Sequence, residues 1–472
     1  KGVCVLTGIR PFSRKGARLC RAGILVLAAG IATIWCGASA QAESLREALA
    51  KAYGTNPELQ SERASLRATD EGVPQALSNW RPTVTVTGDT GYLKEDETAG
   101  TTTTHPATAD LTVSQPIYRG GRTVNETKQA EAEVQAGRAR LTSAEQRVLL
   151  TAVRAYMNVL RDEAVLDLNR SNEQRVARQL QATQDRFRVG EITRTDVAQA
   201  EARLSRAKAD RIQAEGVLVN SREAYRRVIG DAPGTLSKPT LKLALPANVE
   251  DARVLARDAN PDVLNAGYRE EAADYNVQRI RGELLPSVSL RGTLGTEHET
   301  VREDSRRNTA ELIAELTVPL YQKGSVYSRV REARQLLAQR RQELEDARRA
   351  AVEAVASAWN ALQTARAAVS SFQSEVRANE IALDGVQREA LVGSRTVLDV
   401  LDAEQELLDA KVNLVRSERD ELVAQFELKS AVGSLTAKEL DLPVQLYDAE
   451  RNYNRVRNRW FGSDIEDPSK TR

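Results

Sequence analysis

The chain has 472 residues, and its 67 basic and 66 acidic side chains leave a formal net charge of +1. This balance argues against a nucleic acid partner, because polyanion binding requires an excess of basic residues on one face. Aromatic residues make up 4% of the chain, and long stretches consist mostly of Ala, Glu, Arg, Gln and Leu. Such a composition is typical of long helices.

The first 42 residues have the features of a secretory signal peptide. A basic segment at 14–21 precedes a mostly apolar run at 22–36, and small residues follow it. Cleavage is expected after Ala40 or after Ala42. An uncleaved signal anchor is the alternative. Beyond this segment no window of about 18 uncharged apolar residues occurs, so the exported chain is expected either to be soluble or to enter a membrane as strands.

Two similar units occupy most of the chain. Several short motifs recur at offsets of 203 to 205 positions, and a near-constant offset of this kind indicates an internal duplication. The matching pairs are Asn56-Pro57 with Asn260-Pro261, Leu111 to Tyr118 with Leu316 to Tyr321, and Val189-Gly190 with Val392-Gly393.

Each unit is predicted to contain a helical segment, a β-hairpin, a long helix and a return helix. Thr83 to Thr87 alternates with the period of two that is typical of strands. Gly120 to Phe187 contains no Pro, and its apolar residues recur every seven positions, which predicts a coiled-coil helix of about 100 Å. The predicted bounds are 43–229 for the first unit (hairpin 82–118, long helix 120–187, return helix 194–228), 230–247 for a linker, 248–433 for the second unit (hairpin 286–320, long helix 324–391, return helix 396–432) and 434–472 for a polar tail.

Four strands of roughly ten residues match the length of transmembrane β-strands. Four strands cannot close a barrel, and an open sheet edge in lipid leaves backbone groups unpaired. Two, three or four copies around an axis would close eight, twelve or sixteen strands. The alternative is a pair of soluble hairpins on a helical rod. Pro116 and Pro319 are expected to mark the strand ends.

Four segments resemble the TolC family of outer-membrane efflux channels: ESLREALAKAYGTNPELQ from residue 43, QPIY at 115–118, and the turns VGEITRTDVAQAE and VGSRTVLDVLDAEQEL. The resemblance extends over about residues 43–442. It implies a mixed α and transmembrane-β fold, in which a homotrimer forms one twelve-stranded barrel in outer-membrane lipid, continued by a coiled-coil tunnel in the periplasm. Pro116 and Pro319 would lie where barrel passes into helix.

The resemblance also implies partners and substrates. A periplasmic adaptor (membrane fusion protein) and an inner-membrane RND or ABC transporter would dock on the channel, which would export drugs, toxic compounds or secreted proteins. The adaptor would contact the two turns between the long and return helices. The residues of these turns are Val189, Gly190, Glu191, Ile192, Thr193, Val392, Gly393, Ser394 and Thr396.

The periplasmic entrance is the gate that the resemblance implies. Asp399 and Asp402 would line it as two acidic rings, and Arg395 would hold it shut through Asp196. Acidic rings favour cations, and crowded carboxylates raise the pKa of some of their members. A tyrosine that the family carries at the position of Ala390 is absent.

The chain shows no catalytic constellation. Its two histidines, His105 and His298, fall in predicted hairpin loops, and neither a P-loop nor a dinucleotide fingerprint occurs. We therefore expect no enzyme activity, no metal site and no cofactor. A periplasmic coiled-coil adaptor or scaffold is the alternative function, and an exported enzyme is a weaker one.

Overall fold

A computed structural model of the chain describes residues 43–98, 100–239 and 243–465, and the predicted signal peptide lies outside these residues. A single 3-10 turn, Gly282–Leu284, precedes the second hairpin. The helices and strands of the described residues are, in chain order, α1 (Leu45–Thr55), α2 (Pro57–Asp70), α3 (Gly72–Ser78), β1 (Thr83–Thr90), β2 (Leu93–Glu97), β3 (Gly100–Thr104), β4 (Ala107–Arg119), α4 (Arg122–Arg188), α5 (Arg194–Ile229), α6 (Val249–Ala259), α7 (Pro261–Arg281), β5 (Ser287–His298), β6 (Arg306–Thr317), α8 (Ser325–Leu391), α9 (Val397–Val432) and α10 (Arg451–Val456).

The helical segment before each hairpin is broken at its Asn-Pro motif, because a residue that precedes proline is driven out of the helical conformation. Asn56 has extended backbone angles and caps α2, and its side-chain amide donates to the carbonyl of Val228 at 2.9 Å. Asn260 caps α7 and donates to the carbonyl of Ala431 at 3.0 Å. The repeated motif therefore ties the start of each unit to the end of its own return helix.

The four long strands form one antiparallel sheet in the order β1-β4-β5-β6. Directly paired residues share a face, and the register places Val84 opposite Val113, and Leu294 opposite Leu111. One face is consequently apolar across all four strands, whereas the other carries mostly Thr, Ser and charged residues, among them the Arg291–Glu315 ion pair at 3.3 Å. The large apolar residues of the first face are Val84, Val86, Leu111, Val113, Val288, Leu290, Leu294, Leu312 and Leu316.

The outer edges of this sheet have no partner strand in the described part of the chain. β1 pairs only with β4, and β6 pairs only with β5. Both edge strands are exposed along their whole length. Beyond the far end of β1 and β4, the chain forms a second, two-stranded sheet, β2-β3, where the sequence predicted only a polar loop.

Pro116 does not end its strand, contrary to the prediction. It lies inside β4 at a bulge between Pro116 and Tyr118, where a residue without an N–H group can be accommodated. Pro319 lies two residues beyond the end of β6. The change from strand to helix is instead made by residues with positive φ, Gly121 (73°) before α4 and Gly324 (75°) before α8.

The two units share one core instead of folding apart. Val134, Leu141 and Val148, which recur at the heptad spacing, are all buried. α4 of the first unit packs against α7 and α9 of the second. The side-chain amide of Asn265 donates to the carbonyl of Ala136 at 2.6 Å across this contact.

The segment after α9, predicted as a polar tail, begins with apolar residues that are packed in the core. Leu435, Leu440 and Leu442 are buried in the same core as α1, α4 and α5, so apolar burial holds this segment in place. α10 then packs on α2, where Asn452 donates to the buried Asp70 carboxylate at 2.8 Å. In the part of the chain that the structure covers, no helix combines the length and the apolar character needed to cross a membrane.

Candidate functional site at the tips of the helical hairpins

The turns between long and return helices have the same geometry in both units. Glu191 N donates to the carbonyl of Arg186 at 3.1 Å, and Gly190 N to that of Phe187 at 3.0 Å, which is the Schellman pattern of a helix end. In the second unit, Ser394 N and Gly393 N make the corresponding bonds at 3.0 and 3.2 Å. Each glycine has positive φ, 78° and 80°, with open space around it. Backbone conformation, not crowding, therefore explains glycine at these positions.

Asp196 and Asp399 are capping residues of the return helices. The hydroxyl of Thr193 accepts from Asp196 N, while the Asp196 carboxylate accepts from the Thr193 amide at 2.8 Å. Asp399 and Thr396 repeat this capping box with the same distances. The backbone amide donors lower the pKa of both carboxyl groups, because they stabilise the charged form.

The resemblance led us to expect a pair between Arg395 and Asp196. Within the described chain, these two residues do not pair. Arg395 donates from Nε to Glu389 at 2.8 Å across its own turn, which raises its pKa. In the first turn the charges are exchanged, since Arg186 donates to Glu191 at 2.9 Å. Each turn thus closes its own ion pair, and the carboxylate of Asp196 is already engaged in a cap.

Asp402 joins the two units at their tips. Its carboxylate accepts a hydrogen bond from the guanidinium of Arg203, which projects from α5 of the first unit. The residue equivalent to Asp402 in the first unit is Gln199, and the residue equivalent to Arg203 in the second is Glu406. The ion pair therefore exists in one direction only, and sequence comparison of the units did not reveal it.

An apolar cluster holds α4, α5 and α9 together near the tips. It contains Val176 of α4, Ala200 of α5 and Leu401 of α9, which are all buried. The return helix of the second unit therefore packs in the groove of the first hairpin. No residue of α8 belongs to this cluster, in which the second hairpin is represented by α9.

Glu404 lies buried beside this cluster, and no pattern in the sequence indicated its burial. It is 6% exposed, and its Oε2 atom has no hydrogen-bond partner. Burial raises the pKa of Glu404, although Arg175 and Arg178 of α4 oppose the rise by attraction. The matching residue of the first unit, Glu201, is exposed. The same residue type is therefore buried in one unit and exposed in the other, which explains why the repeat pattern could not distinguish the two positions.

In the described chain, the tips carry ion pairs and helix caps, and they offer no metal cluster. In the described ranges, no three His, Cys, Asp or Glu side chains are grouped so that they could hold a metal ion. What the tips present to solvent is instead two ion-paired turns, two capped helix starts and one ion pair between units.

Comparison with known proteins gives one family. The model of the outer membrane efflux protein family matches the chain twice, at residues 48–231 and 252–434, so each unit is matched separately. The chain is 36% identical to outer membrane efflux protein BepC of Brucella suis over 433 residues, which are 91% of this chain and 94% of that protein. It is 28% identical to outer membrane protein TolC of Vibrio cholerae, over 84% of this chain and 92% of that protein.

The fold is also found among solved structures. The outer membrane channel CmeC of Campylobacter jejuni superposes with a TM-score of 0.77, covering 88% of this chain and 89% of that one, at 18% sequence identity. At this identity the likeness supports the fold alone. The duplicated arrangement of hairpins and long helices is therefore shared with a channel.

Proposed function

Because this chain belongs to the outer membrane efflux protein family, as its resemblance to TolC channels predicted, we propose that it is the passive exit duct of an efflux or secretion system. It lies in the outer membrane and extends into the periplasm. Drugs, toxic compounds or secreted proteins pass through it, and docking of an adaptor and an inner-membrane RND or ABC transporter opens it.

The observation that carries this proposal is the amphipathic sheet with two free edges. Its apolar face suits lipid and its polar face suits a water-filled lumen. Free edges are not tolerated in lipid, so each must pair with another strand. β6 runs antiparallel to β1, because three antiparallel pairings separate them, so β6 of one copy can extend the same pattern with β1 of the next. We propose that three copies close twelve strands.

The long helices support a tunnel below this barrel. α4 and α8 have 67 residues each, or about 100 Å. α4 is buried at many positions along its length, whereas α8 leaves Tyr327, Leu336 and Ile381 exposed in the single chain. A helix that leaves apolar side chains exposed is suited to packing against a neighbouring copy. In the trimer, Asp399 and Asp402 then form two acidic rings at the entrance.

The glycine turns are the proposed docking site for the adaptor. They lie at the opposite ends of α4 and α8 from the strands, so they are the parts of the chain that reach farthest into the periplasm. The turn residues Val189 and Val392 are exposed, and each follows directly on a long helix. Exposed apolar residues beside fixed charges offer a partner both burial and orientation.

Extraction from cell envelopes tests the assembly. We expect the protein to be recovered only with detergent and cross-linked species to stop at three chains. Since residues 43–472 contain no cysteine, single cysteines along β1 and β6 can be paired, and they should form disulfides between copies. Pairs along β4 and β6 are the matched control and should not, because β4 is an interior strand. A monomer recovered without detergent would favour the periplasmic scaffold instead.

A further inference from the structure

The segment after α10 ends beside the base of the sheet. Arg81, two residues before β1, donates from Nη1 to the carbonyl of Arg459 at 2.7 Å. The same guanidinium lies 4.8 Å from the centroid of the Trp460 ring. Two contacts from one arginine therefore hold Trp460 at the level where the strands begin.

This end of the chain is a built turn that presents two aromatic rings. The guanidinium of Arg459 donates to the carbonyl of Phe461 at 3.0 Å and to that of Asp464 at 2.8 Å, which closes the turn. The ring centroids of Trp460 and Phe461 lie 6.4 Å apart. Their exposed fractions are 57% and 86%, and Ile465 is also almost fully exposed. Large apolar side chains held outward by a closed turn are unusual on a water-facing surface.

The surroundings of this aromatic pair match the boundary between lipid and water. Trp80 and Tyr118 are partly exposed at the same end of the sheet, next to the apolar face. Trp and Tyr concentrate at this level of membrane proteins, because one side of the ring is apolar and the other polar. Arg81 adds positive charge, which suits the phosphates of phospholipid headgroups, whereas Arg459 forms an ion pair with Asp464 at 3.4 Å.

From these observations we propose that residues 459–465 form an interfacial anchor, with Trp460 and Phe461 inserted in the periplasmic leaflet of the outer membrane. The anchor rests on the proposed function, since it requires the sheet to lie in that membrane. It lies outside both segments matched by the family model, which ends at residue 434. The anchor fixes the height of the helical tunnel relative to the membrane from outside the barrel.

Spin labelling of the full chain tests the anchor. Phe461→Cys is labelled in trimers reconstituted into vesicles of phosphatidylethanolamine and phosphatidylglycerol, and collision rates with oxygen and with a water-soluble nickel chelate are compared. Oxygen concentrates in lipid and the chelate in water. We expect the ratio of oxygen to chelate accessibility to be several-fold higher at 461 than at Leu446→Cys, an exposed position of the same segment whose neighbours pack on the main core.

A label at Val86→Cys, on the apolar face of β1, separates this proposal from the one on which it rests. If the labels at positions 86 and 461 are both more accessible to oxygen than to the chelate, both lie in lipid and the anchor is supported. Val86 in lipid with 461 open to the chelate overturns the anchor and leaves the channel intact. Protection of 461 from both agents also overturns it, because the ring pair then packs against protein. Val86 open to the chelate contradicts the proposed barrel itself.

Discussion

Arg203 and Asp402 form the ion pair that connects the return helices of the two units at their tips. The pair lies one turn beyond the cap made by Asp399, so it fixes α9 close to the proposed entrance. Opening of a coiled-coil entrance requires helices to move apart. We therefore expect this pair to act as a more direct latch within the chain than Arg395, which pairs with Glu389 of its own turn.

Breaking this latch should favour the open state. We expect Arg203→Ala and Asp402→Asn each to raise single-channel conductance or open probability by less than about tenfold, because a partly exposed ion pair contributes about 0.2–1 kcal/mol. The charge-exchanged double variant, Arg203→Asp with Asp402→Arg, should restore closure. Arg206→Ala, which removes a solvent-exposed charge on the same helix, is the matched control. Equal conductance in all variants would place the latch elsewhere.

The acidic rings should control ion selectivity, which is read from the reversal potential and is therefore distinguishable from the conductance change that Asp402→Asn causes by breaking the ion pair with Arg203. Asp399→Asn keeps a side-chain oxygen that can still accept from Thr396, so it tests charge with little disturbance of the cap. We expect this variant, combined with Asp402→Asn, to reduce cation preference and block by multivalent cations in bilayer recordings. Asp196→Asn removes the same charge from the first hairpin and is the control. A wild-type reversal potential in the double variant would show that the rings do not face the pore.

Valine at either tip glycine should disable docking without affecting assembly. Gly190→Val and Gly393→Val force a β-branched residue into a left-handed conformation, which costs on the order of 1–2 kcal/mol or more. We expect loss of transport with normal trimers in the membrane. Gly216→Ala, a substitution inside α5 with open space around it, should instead be neutral or stabilising. Normal efflux in both valine variants would remove the turns from the docking site.

Glu404 should make the tip contact sensitive to pH. Burial raises its pKa in the packed state, so packing favours the protonated form. The resulting stability is fully present below the unfolded pKa, near 4.5, and is lost as pH rises through the higher value of the packed state. We expect open probability to rise with pH across this interval and Glu404→Gln to flatten the dependence. Glu201→Gln, at the exposed counterpart, should keep the wild-type profile.

The C-terminal segment should depend on one buried hydrogen bond. Asn452→Ala removes a side-chain donor from the fully buried Asp70 carboxylate, and such a loss costs about 1–3 kcal/mol. We expect faster proteolysis beyond residue 434 and a lower unfolding temperature. Asn454→Ala, two residues away and exposed, is the matched control. Identical digestion patterns for the two variants would show that apolar burial alone holds the segment.

Much of the fold could be predicted because it rests on periodic patterns. The absence of proline and the seven-residue recurrence of Val134, Leu141 and Val148 indicate a long packed helix, and these side chains are buried. Strand alternation likewise indicates the sheet. The helix boundaries were harder to predict, because a single residue, Asn56, ends α1 and also caps the start of α2. Pro116 was misplaced because a bulge accommodates proline inside a strand.

The position of the tips could be predicted from the sequence, but the side-chain pairings within them could not. Thr396 followed by Asp399 has capping-box spacing in the sequence, yet the pairings of Arg395 and Asp402 depend on which helices meet. Contacts between α5 and α9 join residues about 200 positions apart, and no local pattern encodes them. Long polar side chains can pair with any of several neighbours, so their partners are determined only once the helices have packed together.

The opposite environments of Glu201 and Glu404 have a consequence for how such a molecule can change over time. In a ring of identical small subunits, every substitution appears at each position around the circle. Because two units are fused here in one chain, an amino-acid change in one hairpin leaves the other unaltered. A residue that both units share can then acquire a second role in one unit, while the other unit retains the original role. Duplication within the chain thus lets a symmetric ring become alternating, one residue at a time.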